Sequence, residues 1–330
     1  MSDLSLKGRF NRAIVTGGAG FIGSHLIEAL LADGLEVISI DDYSAGKSEN
    51  LSHIVNNPNL KAVNADVTDI EYLRSHFDGV DIVFHQACSK NTVCMRDPAR
   101  DLTVNATGTL NMLLLAKEFG VKKFIHASTG SVYGQAQYFP TDELHPVKPL
   151  SYYGVSKLAG EQYVRVFNHL YDMDTVMLRY FHVFGPRQEN SDVGGVVSIF
   201  ARRALHDQPL IIYGDGTQLR SFTYVEDVVR INMLAAATPG ISGEAFNCAS
   251  GVRVTIQELA EGVRQYFGKP ELTIQYEEWK PGDIKTFDVS NAKIKSLGFE
   301  FQYNFEQGLH KTLDWSREYF SSTAKDALPV

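Results

Sequence analysis

Thr16-Gly17-Gly18-Ala19-Gly20-Phe21-Ile22-Gly23 follows directly on the apolar run Ala13-Ile14-Val15. Gly17, Gly20 and Gly23 give a G-x-x-G-x-x-G spacing, after which His25-Leu26-Ile27-Glu28-Ala29-Leu30-Leu31 reads as a helix. Glycine is needed where a chain turns tightly, where backbone approaches a pyrophosphate, and where a helix lies on a strand. The helix start then offers free amides and a positive dipole end. A glycine triplet alone can be a plain structural turn. Between a strand and a helix it reads as a dinucleotide cradle, with Phe21 and Ile22 beside the glycines.

Outward from this segment, apolar runs at 36–40, 60–64, 80–85, 123–127 and 175–180 read as strands. Helical stretches at 104–119 and around 155–170 lie between them. Regular alternation of this kind predicts an α/β fold, a doubly wound parallel (Rossmann) sheet covered on both faces. Beyond residue 181 the pattern turns to short mixed elements and Gly-, Pro- and Asp-rich loops. The expected organisation is a dinucleotide-binding domain over 1–180 and a smaller mixed α/β substrate lobe over 181–330. A helix at 225–237 and a strand at 245–247 can return to the main sheet. A polar tail is expected from about Ser321.

The second strand ends in Ile40-Asp41-Asp42. An acid there accepts hydrogen bonds from a ribose diol and repels a 2′-phosphate, which favours NAD over NADP. Asp41 is the expected ligand, with Asp42 beside it; a solvated turn acid is the alternative. Asp66-Val67, after the third strand, either borders the adenine or forms an ordinary turn.

Tyr153-Gly154-Val155-Ser156-Lys157 places a phenol and an ammonium one helical turn apart. A tyrosine titrates near pH ~10, too high for a base near neutrality. A neighbouring cation and an oxidised nicotinamide both favour phenolate. Lys157 thus has two expected jobs, holding the nicotinamide ribose and lowering the tyrosine pKa. Thr129, ending the fifth strand, can hydrogen-bond the reacting oxygen and relay a proton. Alone, Tyr-x-x-x-Lys is a common surface pair; the glycine cradle upstream gives it the catalytic reading.

The 31 basic and 39 acidic residues give a net charge of −8, with no Lys/Arg run. That argues against nucleic acid as a partner. No apolar run approaches the ~20 residues of a membrane span, and the N-terminal residues lack a signal-peptide core. Cys88, Cys94 and Cys248 give neither a disulfide framework nor metal-ligand spacing, so no metal is expected. Cys88 and Cys94 read as buried small hydrophobes, and a reducing, cytoplasmic setting is expected.

Together these segments, with His85-Gln-Ala, Asn105-x-x-Gly-Thr, Ser128-Thr-Gly-Ser-Val-Tyr-Gly134, Arg179-Tyr-Phe-His-Val-Phe-Gly-Pro-Arg-Gln, Tyr213-Gly-Asp-Gly, Arg220-Ser-Phe-Thr-Tyr-Val-Glu-Asp-Val and Pro281-Gly-Asp, resemble the extended short-chain dehydrogenase/reductases of the nucleotide-sugar epimerase/dehydratase group. The match runs over most of the chain. The resemblance implies tightly bound NAD, a nucleoside-diphosphate sugar (UDP by default), and a homodimer built from two helices per subunit. It implies Arg220 as the clasp of the diphosphate, a task suited to a bidentate guanidinium, with Tyr213 near the base and Asp283 in the substrate lobe. A surface ion pair is the plainer alternative for Arg220.

Members of this group begin alike: the tyrosine takes the sugar 4-hydroxyl proton and NAD takes hydride from C4. Dehydratases resemble one another in an Asp-Glu pair after the catalytic threonine, and decarboxylases carry Glu at the second position. Gly130-Ser131 stands there instead, which resembles the 4-epimerases. Epimerisation at another carbon, ketoreduction, dehydration and decarboxylation remain alternatives. So does a non-catalytic NAD-binding module, although that class tends to lose the Tyr-Lys pair. Three departures concern the substrate. His182 replaces an Asn that touches substrate in the family, or is simply a core residue. The 89–98 loop is altered and shorter, and Tyr152 replaces Pro.

Overall fold

The computed structural model describes residues 4–89, 91–192, 194–279 and 285–326. Among these, seven parallel strands form the main sheet: β1 (Arg12–Thr16), β2 (Glu36–Asp41), β3 (Leu60–Asn64), β4 (Ile82–His85), β5 (Lys123–Thr129), β6 (Thr175–Tyr180) and β7 (Glu244–Cys248). Their spatial order is β7-β6-β5-β4-β1-β2-β3. β1, β4 and β5 are apolar and buried because helices cover both faces. Helices α1 (Phe21–Ala32) and α4 (Val225–Ala237) close one face, and α2 (Gly108–Glu118) and α3 (Tyr152–Tyr171) the other. The order reverses between β1 and β4, which opens a crevice at the carboxyl ends of the strands.

The 225–237 helix and the strand near 245 do return to this sheet, β7 pairing with β6. The remaining later elements build a lobe around Phe184, Phe200, Phe222, Tyr224, Leu259 and Leu313, against which Phe21 and Ile22 of the glycine segment pack. The cradle and the lobe therefore share apolar contacts.

Local differences from the sequence reading have physical causes. β5 runs two residues past 127, because Ser128 and Thr129 pair with Arg179 and Tyr180 of β6. The 104–119 helix begins as a π-helical turn, Thr103–Thr107. There Asn105 donates to Asp101 (3.0 Å) and to Ser156 (2.9 Å) and accepts from the Ser89 amide (2.8 Å). A π turn admits an extra residue, here one whose side chain serves three segments. The expected tail from 321 instead continues the helix Phe305–Asp326. Cys94 is buried as expected, but Cys88 is exposed, because it lines the crevice just past β4.

α3 is tied to the sheet by charge. Glu161, fully buried, accepts from Arg179 Nε (2.9 Å) and Nη2 (2.8 Å) and from the Ser128 hydroxyl (2.5 Å). Arg179 also donates to the Tyr133 hydroxyl (2.8 Å), which donates to Asn247 (2.7 Å). Burial works against the guanidinium charge, but the Glu161 carboxylate outweighs it and holds Arg179 protonated. Removing one partner of such a pair strands a buried charge, at a cost of about 3–5 kcal/mol. Glu161→Ala is expected to lower unfolding free energy by that amount in a urea titration. A loss below about 1 kcal/mol, the scale of a surface pair, would contradict this placement.

Candidate active site

A cavity of about 540 Å³ occupies the crevice. It is lined by Gly17, Gly20, Phe21, Ile22, Gly23, Asp41, Asp42, Asp66, Val67, Tyr153 and Lys157, so the expected cofactor residues and the Tyr–Lys pair face one space. Gly17 turns at φ +65°, and a Cβ there would lie 2.8 Å from the Ala87 amide at the end of β4. A Cβ on Gly23 would collide with the Gly17 carbonyl. Gly20 caps α1 without a side-chain hydrogen bond, leaving the helix start open to an anion. The glycines make a close-backbone cradle whose shape suits a dinucleotide.

Asp41 is buried and accepts from the amides of Ala19 (2.9 Å) and Tyr43 (2.8 Å). It thereby holds the glycine turn against the loop after β2. Burial raises its pKa, against the pull of those two amides. Asp66 accepts from the Thr68 amide (2.8 Å) and from Arg100 (2.6 Å). Burial pushes Asp66 up, but these bonds outweigh it and hold the carboxyl below its usual value. Arg100 also reaches Asp42 at 3.4 Å. Arg100, Lys47 and Arg187 line the cavity and were missed in the sequence. Arg100 meets its acids across 34 and 58 residues, so no local pattern marks it.

Ser151 caps α3 by accepting from the Gly154 amide (3.1 Å). That start puts Tyr153 in the first turn and Lys157 one turn on, facing the cavity. Lys157 is fully buried, and its Nζ has no hydrogen-bond partner among the described residues. An ammonium left unpaired there fits a ligand hydroxyl or diol. Burial lowers its pKa, with partial compensation from Cys88, Glu161 and Asp101. Burial pushes the Tyr153 phenol well above its ordinary value; Cys88 adds to the rise, and the hydrogen bond from Thr129 opposes it. The protein's own groups thus do not make Tyr153 a ready phenolate. Burial dominates among their effects, and the help toward phenolate is expected from Lys157 together with an oxidised nicotinamide.

Thr129 meets the Tyr153 hydroxyl and also accepts from the Ser131 amide (3.2 Å). A Cβ on Gly130 would overlap the buried Phe181 ring, which stacks with Tyr133. No acidic side chain fits at 130 in this packing.

His182 and Arg220 meet around Phe287, its ring 4.7 Å from His182 and 5.4 Å from the Arg220 guanidinium. Neither lines the cofactor cavity, nor do Thr129, Ser131 and Tyr213. Burial, then Arg220, pushes His182 down to about 3, so the ring is neutral. Its φ of +36° lies in the left-handed region, which His, like Asn and Asp, enters more often than most residues. Tyr213 ends a strand, Leu210–Tyr213, that pairs with Ile274–Glu277. Asp283 lies outside the described residues.

Two buried histidines, His85 and His126, stack at 5.6 Å within electrostatic reach of Lys157. Thr16 accepts from the Ala87 amide and donates to His85 Nδ1 (2.7 Å), while Thr109 donates to the Asn105 carbonyl and accepts from His85 Nε2 (3.0 Å). This pattern assigns His85 as the neutral Nε2–H tautomer. Burial, then Lys157, lowers His85 to about 3. His126 is lowered for the same reasons, and neither ring nitrogen has a hydrogen-bond partner among the described residues. Between 6.5, the ordinary value, and about 3, the unfolded chain binds protons that folded His85 and His182 refuse. Stability is therefore complete above that window and falls as pH drops through it. His126→Phe removes one such group without removing a bond. It is expected to move the acid-unfolding midpoint to lower pH, read by circular dichroism; an unchanged midpoint would show that His126 does not titrate on unfolding.

Residues 13–249 match the family model described as the NAD dependent epimerase/dehydratase family. UDP-glucose 4-epimerase of Mycolicibacterium smegmatis is 36% identical over 311 residues, covering 93% of this chain and 98% of that protein. The crystal structure of UDP-glucose 4-epimerase from Thermotoga maritima with UDP-glucose superposes with a TM-score of 0.89 at 36% identity, over 94% of this chain and 99% of that one. The Thermus thermophilus UDP-glucose 4-epimerase complex with NAD gives 0.84 at 34% identity, over 93% and 99%. With its glycine cradle, reversed sheet and Tyr–Lys helix, the chain belongs to the NAD-dependent epimerase/dehydratase family.

Proposed function

We propose that this chain is an NAD-dependent nucleoside-diphosphate-sugar 4-epimerase acting on a UDP-sugar. The observation that carries this reading is the pairing of Tyr153 and Thr129 with Gly130 pressed on Phe181. A base and a hydrogen-bond donor meet at one point, and the next position has no room for the acid that dehydration needs.

When bound, NAD supplies the acceptor and donor of a hydride. Gly17, Gly20, Phe21, Ile22 and Gly23 would hold its pyrophosphate, Asp41 and Asp42 its adenosine ribose, Asp66 and Val67 its adenine, and Lys157 its nicotinamide ribose. Tyr153 takes the proton of the sugar 4-hydroxyl, and Thr129 hydrogen-bonds the same oxygen. The raised phenol needs added positive charge, which an oxidised nicotinamide held by Lys157 would supply. The 4-keto sugar then turns over, and Tyr153 returns the proton. Ser131 and His182 face the hexose, Arg220 clasps the diphosphate with Asp283 beside it, and Tyr213 borders the base.

We also propose a homodimer. Val155, Tyr163, Val166 and Leu170 are exposed along one stripe of α3, and Leu114 is exposed on the neighbouring α2. Such a stripe suits a helix pair from a second copy. All three cysteines are free, which fits a reducing, cytoplasmic setting. Among the described residues no helix is long and apolar enough to cross a membrane.

Proton NMR of the protein with a panel of nucleotide sugars and no added reductant tests the reaction. A 4-epimer at its equilibrium ratio, without net NADH, is expected; a 4-keto-6-deoxy sugar or released carbon dioxide overturns the proposal. Tyr153→Phe is expected to lose about 10²–10⁴-fold in turnover, the range for acid–base groups, while retaining NAD. Val166→Glu is expected to yield monomers in sedimentation; a monomeric parent protein at micromolar concentration rules out the dimer.

A further inference from the structure

Cys88 follows β4 and is the exposed member of the three cysteines, Cys94 and Cys248 being buried. It lines the same cavity as Tyr153 and Lys157. Its thiol is in hydrogen-bond contact with the Tyr153 hydroxyl, on which Thr129 also converges. Lys157, whose buried ammonium has no hydrogen-bond partner among the described residues, lies within electrostatic reach of the sulfur. The sulfur therefore combines access with a nearby cation, on the wall of the cavity where the reaction centre is expected. The sulfur also touches the hydroxyl assigned above to proton transfer.

We infer that Cys88 is a covalent modification site at the reaction centre, taking small uncharged α,β-unsaturated carbonyl compounds. The Cys88 thiolate adds to the β-carbon, forming the C–S bond. The π pair shifts to the α-carbon, which takes a proton from water, and nothing leaves. The adduct then occupies the space beside Tyr153 where the substrate hydroxyl is expected. Loss of turnover on modification rests on the epimerase reading; the identity of the modified residue does not.

The test is timed N-ethylmaleimide treatment of the purified protein with its NAD, followed by peptide mass mapping of each cysteine and by epimerase assay. Cys88 is expected to label about tenfold or more faster than Cys94 and Cys248, because accessible thiolate sets the rate. That preference should vanish in urea, and turnover should fall in step with Cys88 labelling. Equal rates at all three cysteines in the native protein overturn the site. Complete Cys88 labelling with full turnover overturns its place at the reaction centre. Cys88→Ala is expected to keep whatever turnover it has through the treatment; inactivation at the parent rate assigns the effect to another residue and also overturns the proposal. If no sugar turns over even before treatment, the epimerase reading fails, and the mass map still decides whether Cys88 is the reactive thiol.

Discussion

A buried carboxylate–guanidinium pair, Glu161 with Arg179, fixes the helix bearing Tyr153 and Lys157 to the strands beneath it. Glu161 lies one turn beyond Lys157 on the same helix. Its oxygens take two bonds from β6 and one from Ser128 of β5, the residue before Thr129. The geometry of phenol, ammonium and threonine hydroxyl is thus set from below by three charge-assisted bonds in an apolar surround, where such bonds are strong and directional.

A second anchor holds α3 from the other side. Asp101, fully buried, accepts from the Ser156 hydroxyl at 2.6 Å and from Asn105, while Asn105 reaches the Ser89 amide. The π-helical turn aims Asn105 at these partners. The segment carrying Cys88 is fixed by the same network, since Ser89 is its neighbour. Position and chemistry at the crevice therefore come from few side chains, each bonded to several elements. A change in one moves several functional groups together.

The electrostatics of the crevice are governed by burial. Tyr153 is pushed up, and Lys157, His85 and His126 are pushed down. Each shift is toward the neutral form, in groups packed at the floor of a crevice whose glycine turn offers a cradle of amides. Such a site suits a ligand bringing both a pyrophosphate and a cationic ring, because each meets the feature that the protein leaves open.

The sequence by itself determined the fold class, the cradle and the reactive pair, because these depend on local spacing. Alternating apolar runs give buried parallel strands, glycines at 17, 20 and 23 give close backbone approach, and a four-residue step puts Tyr153 and Lys157 on one helix face. Gly130-Ser131 was legible as a departure, but only the packed Phe181 ring shows why an acid has no room there. What the tertiary structure decided are contacts between residues distant in the chain. Arg100 bridges Asp42 and Asp66, Cys88 is open to the crevice and not buried, and His182 meets Arg220 over Phe287. Burial, which no spacing rule reveals, set the direction of the Tyr153 shift against the expected effect of Lys157. Local periodicity encodes which elements form; desolvation and long-range pairing exist only once those elements have packed.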